Sequence, residues 1–298
     1  MVDQRWEEVL ARPGALPALP EVLIRLRAGL YDLNIDIDQL CGELQCDAAL
    51  VAEIIKTINS PLFGVPRRIN SLKQAVVMLG LRRVRAIILS QSLRQSLATY
   101  HSPGFSLFNW WDRSLLTAVG AASLCQRAAP DLAEEAYLAG LVLDLGVLVL
   151  ARFEPAYEAI LRASAGASSE DLCKSEMEKL TVTHPALAGG VFTFWRFPAV
   201  VVEAVRRHHD PSIVEDTGAF FLPRVGYFAA LLTDSVVTER ADLCERLAAV
   251  AAGQMFMSPG ELADFVESCL QRYRAVAVSM GHGALADRGV PPALARPA

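Results

Sequence analysis

Histidine is scarce in this chain, so the positions of its few histidines are informative. Of the five histidines among 298 residues, His184 precedes a proline at a predicted helix start, while His208 and His209 adjoin each other at a predicted helix end. Asp144 lies inside an otherwise apolar stretch. A carboxylate there needs a partner, because an unpaired buried charge costs several kcal/mol. The partner of Asp144 could be a metal ion, a histidine or a basic residue; each histidine could instead simply contact a helix terminus.

The elements that must position these side chains are predicted to be helices. Apolar residues recur with helical rather than alternating spacing in almost every segment between turn signals, and no convincing strand is found. Prolines 185 and 198 suit first turns of helices, where the missing N–H has no partner to lose. The predicted helices span about 36–44, 47–58, 71–80, 81–97, 107–128, 131–152, 155–165, 170–180, 185–195 and 199–208, then two within 220–253 and a last one over 258–281. The fold class is therefore all-α.

Turn residues divide the chain into four predicted parts. The loop at 101–104, which contains Pro103 and Gly104, separates a helical front half, residues 1–100, from a helical back half, residues 105–240. Residues 241–281 are predicted to form C-terminal helices that either cap the core or offer a contact surface. Residues 282–298 are predicted to be a disordered tail, because they contain two adjacent prolines and scattered alanines.

The apolar composition makes a membrane-spanning segment a possibility that needs testing. Hydrophobic residues make up 53% of the chain, and the most apolar stretch covers 138–151. That stretch is interrupted by Asp144 and is shorter than the about 20 apolar residues that a membrane span needs. It is therefore predicted to be a buried core helix. The first residues lack the pattern of a secretory signal, so a cytoplasmic protein without membrane association is expected.

The cysteines and the net charge argue against two classes of function. The six cysteines include no CxxC pair, so they are interpreted as reduced thiols rather than a zinc site. The net charge of −5 argues against a dedicated nucleic-acid-binding protein, because such domains usually carry a basic excess.

Five arginines nevertheless form a local basic cluster in the front half: Arg67, Arg68, Arg82, Arg83 and Arg85. Three explanations stay open for this cluster. The arginines could be solvated or paired within the chain, could dock a protein or a nucleotide phosphate, or could bind DNA or RNA. The apolar residues between them are better explained as core, which favours the first explanation.

Several longer motifs resemble one known family. The chain is similar, from about residue 15 to 215 and less clearly to 240, to the HDOD (HD-related output domain) signalling family. The front-half motifs are the most specific. The segments that carry the resemblance are 16–23 (LPALPEVL), 46–60 (CDAALVAEIIKTINS), 63–71 (FGVPRRINS), 74–85 (QAVVMLGLRRVR), 111–114 (WDRS), 139–146 (AGLVLDLG), 184–189 (HPALAG), 195–198 (WRFP) and 208–209 (HH).

The resemblance implies an HD-like helical bundle and a set of site residues. The family is related to HD-type metal phosphohydrolases, whose centres bind divalent ions through a first histidine, a His-Asp pair, further histidines and a late aspartate. Arg113 stands at the place of the first histidine, and Leu143 replaces the histidine of the pair. The remaining ligand positions are Asp144, His184 and His208, with His209 beside them and Asp234 as a looser match for the late aspartate.

Loss of two nitrogen ligands favours a degenerate centre, in which Arg113 would neutralise Asp144 without a metal. A hydrolytic centre needs enough ligands to hold the ion and an open position for an activated water. The sequence therefore favours a non-catalytic regulatory protein without cofactor, which acts on a signalling protein partner or binds a small ligand such as a nucleotide. The alternative is a metal-dependent phosphohydrolase for a nucleotide or cyclic dinucleotide, with iron, manganese, zinc or magnesium.

Overall fold

The computed structural model describes residues 48–59, 65, 67–81, 105–194, 197, 199–214 and 221–295, together with single positions at 6, 83, 84, 87, 88, 91 and 94. Within these residues every regular element is a helix, so the prediction of an all-α fold is confirmed. The front half contains α1 (Ala48–Ile58) and α2 (Leu72–Leu79), and the single positions between 83 and 94 are also helical. The predicted boundary at 101–104 and the predicted helix over 36–44 lie outside the described residues.

The back half forms the main bundle. Short 3₁₀ turns cover Pro130–Leu132, Pro211–Val214 and Pro292–Leu294. The α-helices are α3 (Leu107–Ala128), α4 (Ala133–Val142), α5 (Leu145–Phe153), α6 (Tyr157–Ala163), α7 (Ser169–Leu180), α8 (His184–Phe194), α9 (Ala199–Arg207), α10 (Phe221–Thr238), α11 (Ala241–Gln254) and α12 (Pro259–Met280).

Side-chain caps explain where several helices begin. Ser71 accepts a hydrogen bond from the backbone N–H of Gln74 at the start of α2, and Gly80 ends that helix with a φ of 82°. Ser258 and Glu261 form a capping box at the start of α12, in which each side chain accepts from the other's backbone N–H. Such caps satisfy N–H groups that have no partner within the helix, which fixes the helix start.

Helix α3 lies at the centre of the bundle. It packs against α4, α10 and α12, while α8 packs between α5 and α9. Apolar side chains from all these helices form one large core, and a second, smaller core joins α1, α2 and the helical positions that follow them. The side chain of Asn59 braces this smaller core, because it donates to the carbonyls of Ile55 and Ile69 and accepts from the N–H of Ile69, each at 2.8 Å.

The predicted single helix over 131–152 is wrong, because the chain turns at Leu143 and Asp144 and divides it into α4 and α5. The backbone carbonyl of Asp144 accepts a hydrogen bond from the indole N–H of Trp110 at 3.1 Å and another from the N–H of Val147 at 3.0 Å. These bonds replace the regular helical pattern at the turn. The turn releases the Asp144 side chain from the helix surface and directs it at the histidines described below.

The same apolar stretch is the one candidate membrane span among the described residues. Residues Pro130–Phe153 are long and apolar enough by length and composition, but 72% of the relevant window is buried inside the bundle. The turn at Asp144 interrupts it as well. These observations agree with the prediction of a buried core segment.

Gly146 allows α5 to approach the start of α8 closely. A Cβ atom at residue 146 would lie 2.0 Å from the carbonyl oxygen and 2.7 Å from the carbonyl carbon of His184. Real side chains do not come that close to backbone, so only glycine fits between the two helices. This contact holds His184 beside the turn that carries Asp144.

The C-terminal segment differs from its prediction, since residues 282–295 pack on the bundle instead of forming a disordered tail. Leu285 and Leu294 are buried, and Arg274 donates to the carbonyls of Ala286 and Arg288 at 2.9 and 2.7 Å. The imidazole of His282 lies 3.4 Å from the carboxylate of Asp112. These contacts between distant residues are what local composition could not reveal.

A buried hydroxyl fastens this segment, and removing it should weaken the fold. Tyr273 donates to Asp112 and accepts from the N–H of Leu285 at 3.3 Å. We expect Tyr273→Phe to lower the free energy of unfolding by about 1.5–3 kcal/mol, the usual worth of a hydrogen bond to a charged group. Urea denaturation would measure the change.

The pH dependence and a second tyrosine provide controls. Burial alone would raise the pKa of Asp112, but hydrogen bonds from His282 and Tyr273 outweigh it and hold the pKa below its usual value. The stabilisation from Asp112 is therefore present above its unfolded-state pKa and is lost as pH falls through the lower folded-state pKa, so the effect of Tyr273→Phe should shrink there. Tyr137 is buried with a hydroxyl that has no hydrogen-bond partner among the described residues. Tyr137→Phe should be neutral or slightly stabilising, and equal losses in both variants would contradict our account.

Candidate functional site

Three histidines converge on one carboxylate oxygen at the turn between α4 and α5. The Nε2 atoms of His208, His184 and His209 lie 3.2, 3.4 and 3.8 Å from Oδ1 of Asp144. Burial alone would raise the pKa of Asp144, but the contacts of its carboxylate with the three histidines hold the pKa well below its usual value. Asp144 is therefore ionised at neutral pH. We call these four residues the histidine cluster.

His208 presents an electron pair to the cluster rather than a proton. Burial, together with the neighbouring His209, lowers the pKa of His208 to about 4, so its ring is neutral at neutral pH. Its Nδ1 lies 2.6 Å from the carbonyl oxygen of Val205, a contact that requires Nδ1 to donate the proton. The Nε2 atom is then unprotonated and faces the Asp144 carboxylate. Two acceptors in contact favour a cation between them.

His184 lies between two carboxylates. Its Nδ1 lies 2.8 Å from Oε2 of Glu176, and the same oxygen accepts its backbone N–H at 2.7 Å. Burial alone would lower the pKa of His184, but Cys173, Glu176 and Asp144 outweigh it and raise the pKa well above its usual value. The Cys173 sulfur lies 3.6 Å from Nδ1, and Tyr157 donates a further hydrogen bond to Glu176. These contacts fix the orientation of the imidazole.

Arg113 pairs with Asp234 and does not form the ion pair with Asp144 that the sequence suggested. Its Nη2 donates to Oδ1 of Asp234 and, at 2.8 Å, to the hydroxyl of Ser169. Ser169 in turn donates its N–H and its hydroxyl to Asp234, each at 2.9 Å. Asp144 stays close enough for its charge to help raise the pKa of Arg113, which burial alone would lower. The prediction failed because α10 brings Asp234 nearer to the guanidinium.

Leu143 and Asp234 lie apart from the histidine cluster. Leu143 is buried in the apolar core, where its side chain packs near Gly226 of α10. Asp234 has a side chain only 4% exposed, and its oxygens are occupied by Arg113 and Ser169. Of the remnant ligand positions expected from sequence, Asp144, His184 and His208 come together, with His209 as a fourth member, whereas Asp234 does not join them.

Comparison with known protein families decides the family. A sequence model of the HDOD domain matches residues 16–211, about two thirds of the chain. The chain belongs to the HDOD family. The match confirms the resemblance found in the sequence motifs.

Solved structures share the fold of this chain, and one curated relative is similar to it in sequence. An HDOD domain protein of unknown function from Geobacter sulfurreducens superposes with a TM-score of 0.73 at 20% identity, covering 92% of this chain and 96% of that one. A candidate phosphohydrolase from Shewanella amazonensis SB2B gives 0.74 at 20% identity, covering 93% and 97%. At this identity the likeness shows the fold alone. An uncharacterized protein of Treponema pallidum is 23% identical over 197 residues, and the match covers 65% of this chain and 38% of that protein.

The histidine cluster fits a divalent metal ion of the kind that the HD-type relatives of HDOD proteins imply. Nε2 of His209 is buried without a hydrogen-bond partner among the described residues. The four ligand atoms lie within 4.8 Å of one another. Ligands about 2.0–2.1 Å from a tetrahedral ion lie roughly 3.3–3.4 Å apart, which is close to the distances between Asp144 and the histidines. Three imidazoles and one carboxylate suit zinc or iron better than magnesium.

The basic cluster of the HDOD front half is only partly described. Arg67 and Arg68 are exposed, and the guanidinium of Arg83 donates to the carboxylate of Glu134 in the main bundle at 2.9 Å. Arg82 and Arg85 lie outside the described residues. At least one of the five arginines, Arg83, is thus paired within the chain. Such pairing is what the first of the three explanations predicts.

Sequence reasoning missed the residues that support the site. Four of them contact the histidine cluster or the Arg113–Asp234 pair directly: Glu176, Cys173, Ser169 and Trp110. The fifth, Tyr157, donates a hydrogen bond to Glu176. Glu176 lies on a helix rich in charged residues, so the sequence pattern does not distinguish this buried carboxylate from the solvated ones around it. The one usable signal was the position of Glu176 eight residues before His184. Glu176 lies near the end of α7 and His184 begins α8, so the connection between the two helices brings them into contact.

Proposed function

We propose that this HDOD protein is a non-catalytic regulatory module that relays a signal through protein contacts or through a bound small ligand. The observation that carries the proposal is the pairing of Arg113 with Asp234. The family motifs assign Arg113 to the place of the first histidine ligand of HD-type enzymes, and its guanidinium binds the carboxylate of Asp234, the looser match for the late aspartate. That pairing supports a centre from which the ligands of a hydrolytic site have been removed.

The remaining ligands form a closed set. A catalytic metal site keeps one position open for water or substrate, whereas a structural site is filled by protein ligands. Asp144, His184, His208 and His209 together supply four ligand atoms, which is a full tetrahedral set. A divalent ion held there would supply positive charge that ties α8 and α9 to the turn before α5. Such an ion supports a structural role rather than activation of water.

Metal-dependent phosphohydrolysis is the second candidate function. It is favoured by the side chain of Asp144, which remains 17% exposed and lines an open cleft together with His184. Exchange of His209 for a water would open the coordination sphere. The two candidates differ in whether the protein cleaves a phosphate ester, which can be measured directly.

The test combines metal content with hydrolysis. Untagged protein would be purified, its metals measured by elemental mass spectrometry, and its activity measured with bis(p-nitrophenyl) phosphate in the presence of manganese, iron(II) or zinc. We expect either no metal or one ion per chain, and no hydrolysis in either state. If an ion is present, Asp144→Ala should remove it, because the variant lacks the oxygen on which the three histidines converge.

A matched histidine variant serves as the control. His282 lies outside the histidine cluster, beside Asp112, so His282→Ala should leave the metal content unchanged. Metal-dependent hydrolysis that disappears in Asp144→Ala and persists in His282→Ala would refute the regulatory proposal and establish the hydrolase.

A further inference from the structure

An open cleft lies directly beside the histidine cluster. It has a volume of about 340 Å³ and is bounded by the start of α3, by α5, by α6 and the residues after it, and by the first turns of α7. Ligand sites for small molecules fall in the range of about 300–1,000 Å³. The cleft is therefore large enough for an organic ligand of modest size.

Much of the lining of the cleft is apolar. Phe105, Trp110, Val147, Leu161 and Leu172 line it. Two of these residues are aromatic: Phe105 lies just before α3, and Trp110 lies on α3. Leu161 belongs to α6 and Leu172 to α7. A wall of this kind favours an apolar, flat or hydrocarbon body of a ligand.

The lining also offers hydrogen-bond donors and positive charge. Arg113 lines the cleft with a side chain 23% exposed, and among the described residues its hydrogen bonds run through Nη2 alone. A guanidinium has five N–H donors, so donors remain for a ligand. Ser106, the N-cap of α3, and Ser169, the first residue of α7, place two helix N-termini at the same cleft. Helix N-termini carry partial positive charge.

The acidic groups nearby are turned away from the cleft or neutralised. Asp234 and Glu176 are not among its lining residues, and each has its own cationic partner, Arg113 and His184 respectively. Asp144 lines the cleft, but its Oδ1 is surrounded by the three histidines. The surface that a ligand meets thus combines apolar side chains with hydrogen-bond donors.

We propose that this cleft binds a small amphipathic organic anion, with its acidic group at Arg113 and its apolar body against Trp110 and Leu161. The inference rests on the proposed regulatory function and names the chemical class of its ligand. A bound anion would contact α3, α5 and α7 together. Trp110 donates to the carbonyl of Asp144, and Arg113 binds Asp234. Occupancy of the cleft would therefore act on both the histidine cluster and the Arg113–Asp234 pair.

A pair of probes separates the charge from the apolar body. 2-Naphthoate and 2-naphthamide have nearly the same shape, but only the first is an anion. Titrations followed by ligand-observed NMR should give a dissociation constant on the order of 1 mM for naphthoate, typical of a compound of that size. Naphthamide should bind at least about tenfold more weakly, because it lacks the charge-assisted hydrogen bond to the guanidinium.

Variants locate the binding. Arg113→Gln should remove the preference for naphthoate, and Leu161→Trp, which fills the cleft and leaves the Arg113–Asp234 pair intact, should weaken both probes at least about tenfold. Arg127→Gln, an exposed arginine paired with Glu261 at 3.8 Å, is the matched control and should change neither affinity. If Arg113→Gln does not fold, Leu161→Trp still decides the location.

Three results would overturn the inference: no binding of naphthoate, equal affinities for the two probes, or unchanged binding in Leu161→Trp. None of them depends on hydrolysis or on metal content. Failure of the anion site therefore leaves the regulatory function standing, whereas phosphate-ester cleavage would refute that function whatever the probes do.

Discussion

Replacing Arg113 by methionine is expected to destabilise the fold by roughly 3–5 kcal/mol, because the substitution leaves the Asp234 carboxylate buried without its counter-charge. Asp234 is almost completely buried, and among the residues that the structure describes its carboxylate keeps two hydrogen bonds, both from Ser169, once the guanidinium is gone. The apolar stem of methionine fills most of the space of the arginine stem, so the loss reflects the charge rather than a cavity. Chemical denaturation, with fluorescence and circular dichroism as probes, measures the change.

A double-mutant cycle isolates the pair. Asp234→Asn removes the charge but keeps a carbonyl that can accept the N–H of Ser169, so the combination Arg113→Met with Asp234→Asn should recover most of the lost stability. Arg162→Met is the matched arginine control, since Arg162 is 74% exposed and pairs with Glu158 on the same helix. Its cost should be about 0.5 kcal/mol or less. A loss below about 1 kcal/mol for Arg113→Met would show that Asp234 does not depend on the guanidinium.

Gly146→Ala is expected to destabilise the protein by about 3 kcal/mol or more, because the added methyl group would lie 2.0 Å from the backbone carbonyl oxygen of His184. Backbone at a helix start cannot yield as the end of a flexible side chain can, so α5 and α8 must separate. Their separation should also move His184 away from Asp144. The measurements are the free energy of unfolding and the histidine NMR resonances of the folded variant.

Gly253 provides the control for the glycine substitution. It lies on α11, and a Cβ atom there would meet nothing within 4 Å. Gly253→Ala should stabilise the fold by about 0.5–1 kcal/mol, since alanine loses less conformational entropy in a helix than glycine does. If Gly146→Ala behaved like Gly253→Ala, the close approach of α5 and α8 would be wrong.

Local signals in the sequence predicted most of the helical boundaries. Ser71 and Gly80 bound α2, the Ser258–Glu261 capping box starts α12, and His184 begins α8 immediately before a proline, as expected. Each of these signals is contained within a few neighbouring residues. The family motifs then led to Asp144, His184 and His208, which the fold brings together at one point.

Features decided by contacts between distant residues were not predictable. The turn at Asp144 depends on the indole of Trp110, which is 34 residues away in sequence. The partner of Arg113 depends on how α10 packs against α3, and nothing near Asp234 in the sequence indicates it. The ordered segment after Gly281 depends likewise on Asp112, which accepts the hydroxyl of Tyr273. Local sequence patterns describe short segments and do not indicate which distant residues are in contact.

The Arg113–Asp234 pair closes a loop of 121 residues, and this has a consequence for the order in which the chain folds. The entropy lost on closing so long a loop must be recovered by other contacts before one ion pair can form. The adjacent pair Thr117 and Thr233, with hydroxyl oxygens 2.8 Å apart, must meet at the same stage. Helices α3 and α10 are therefore expected to dock late, after the hairpin of α3 and α4. Until then, the folding chain keeps both charges in water. The Arg113–Asp234 pair is therefore expected to form only when α3 and α10 are correctly packed.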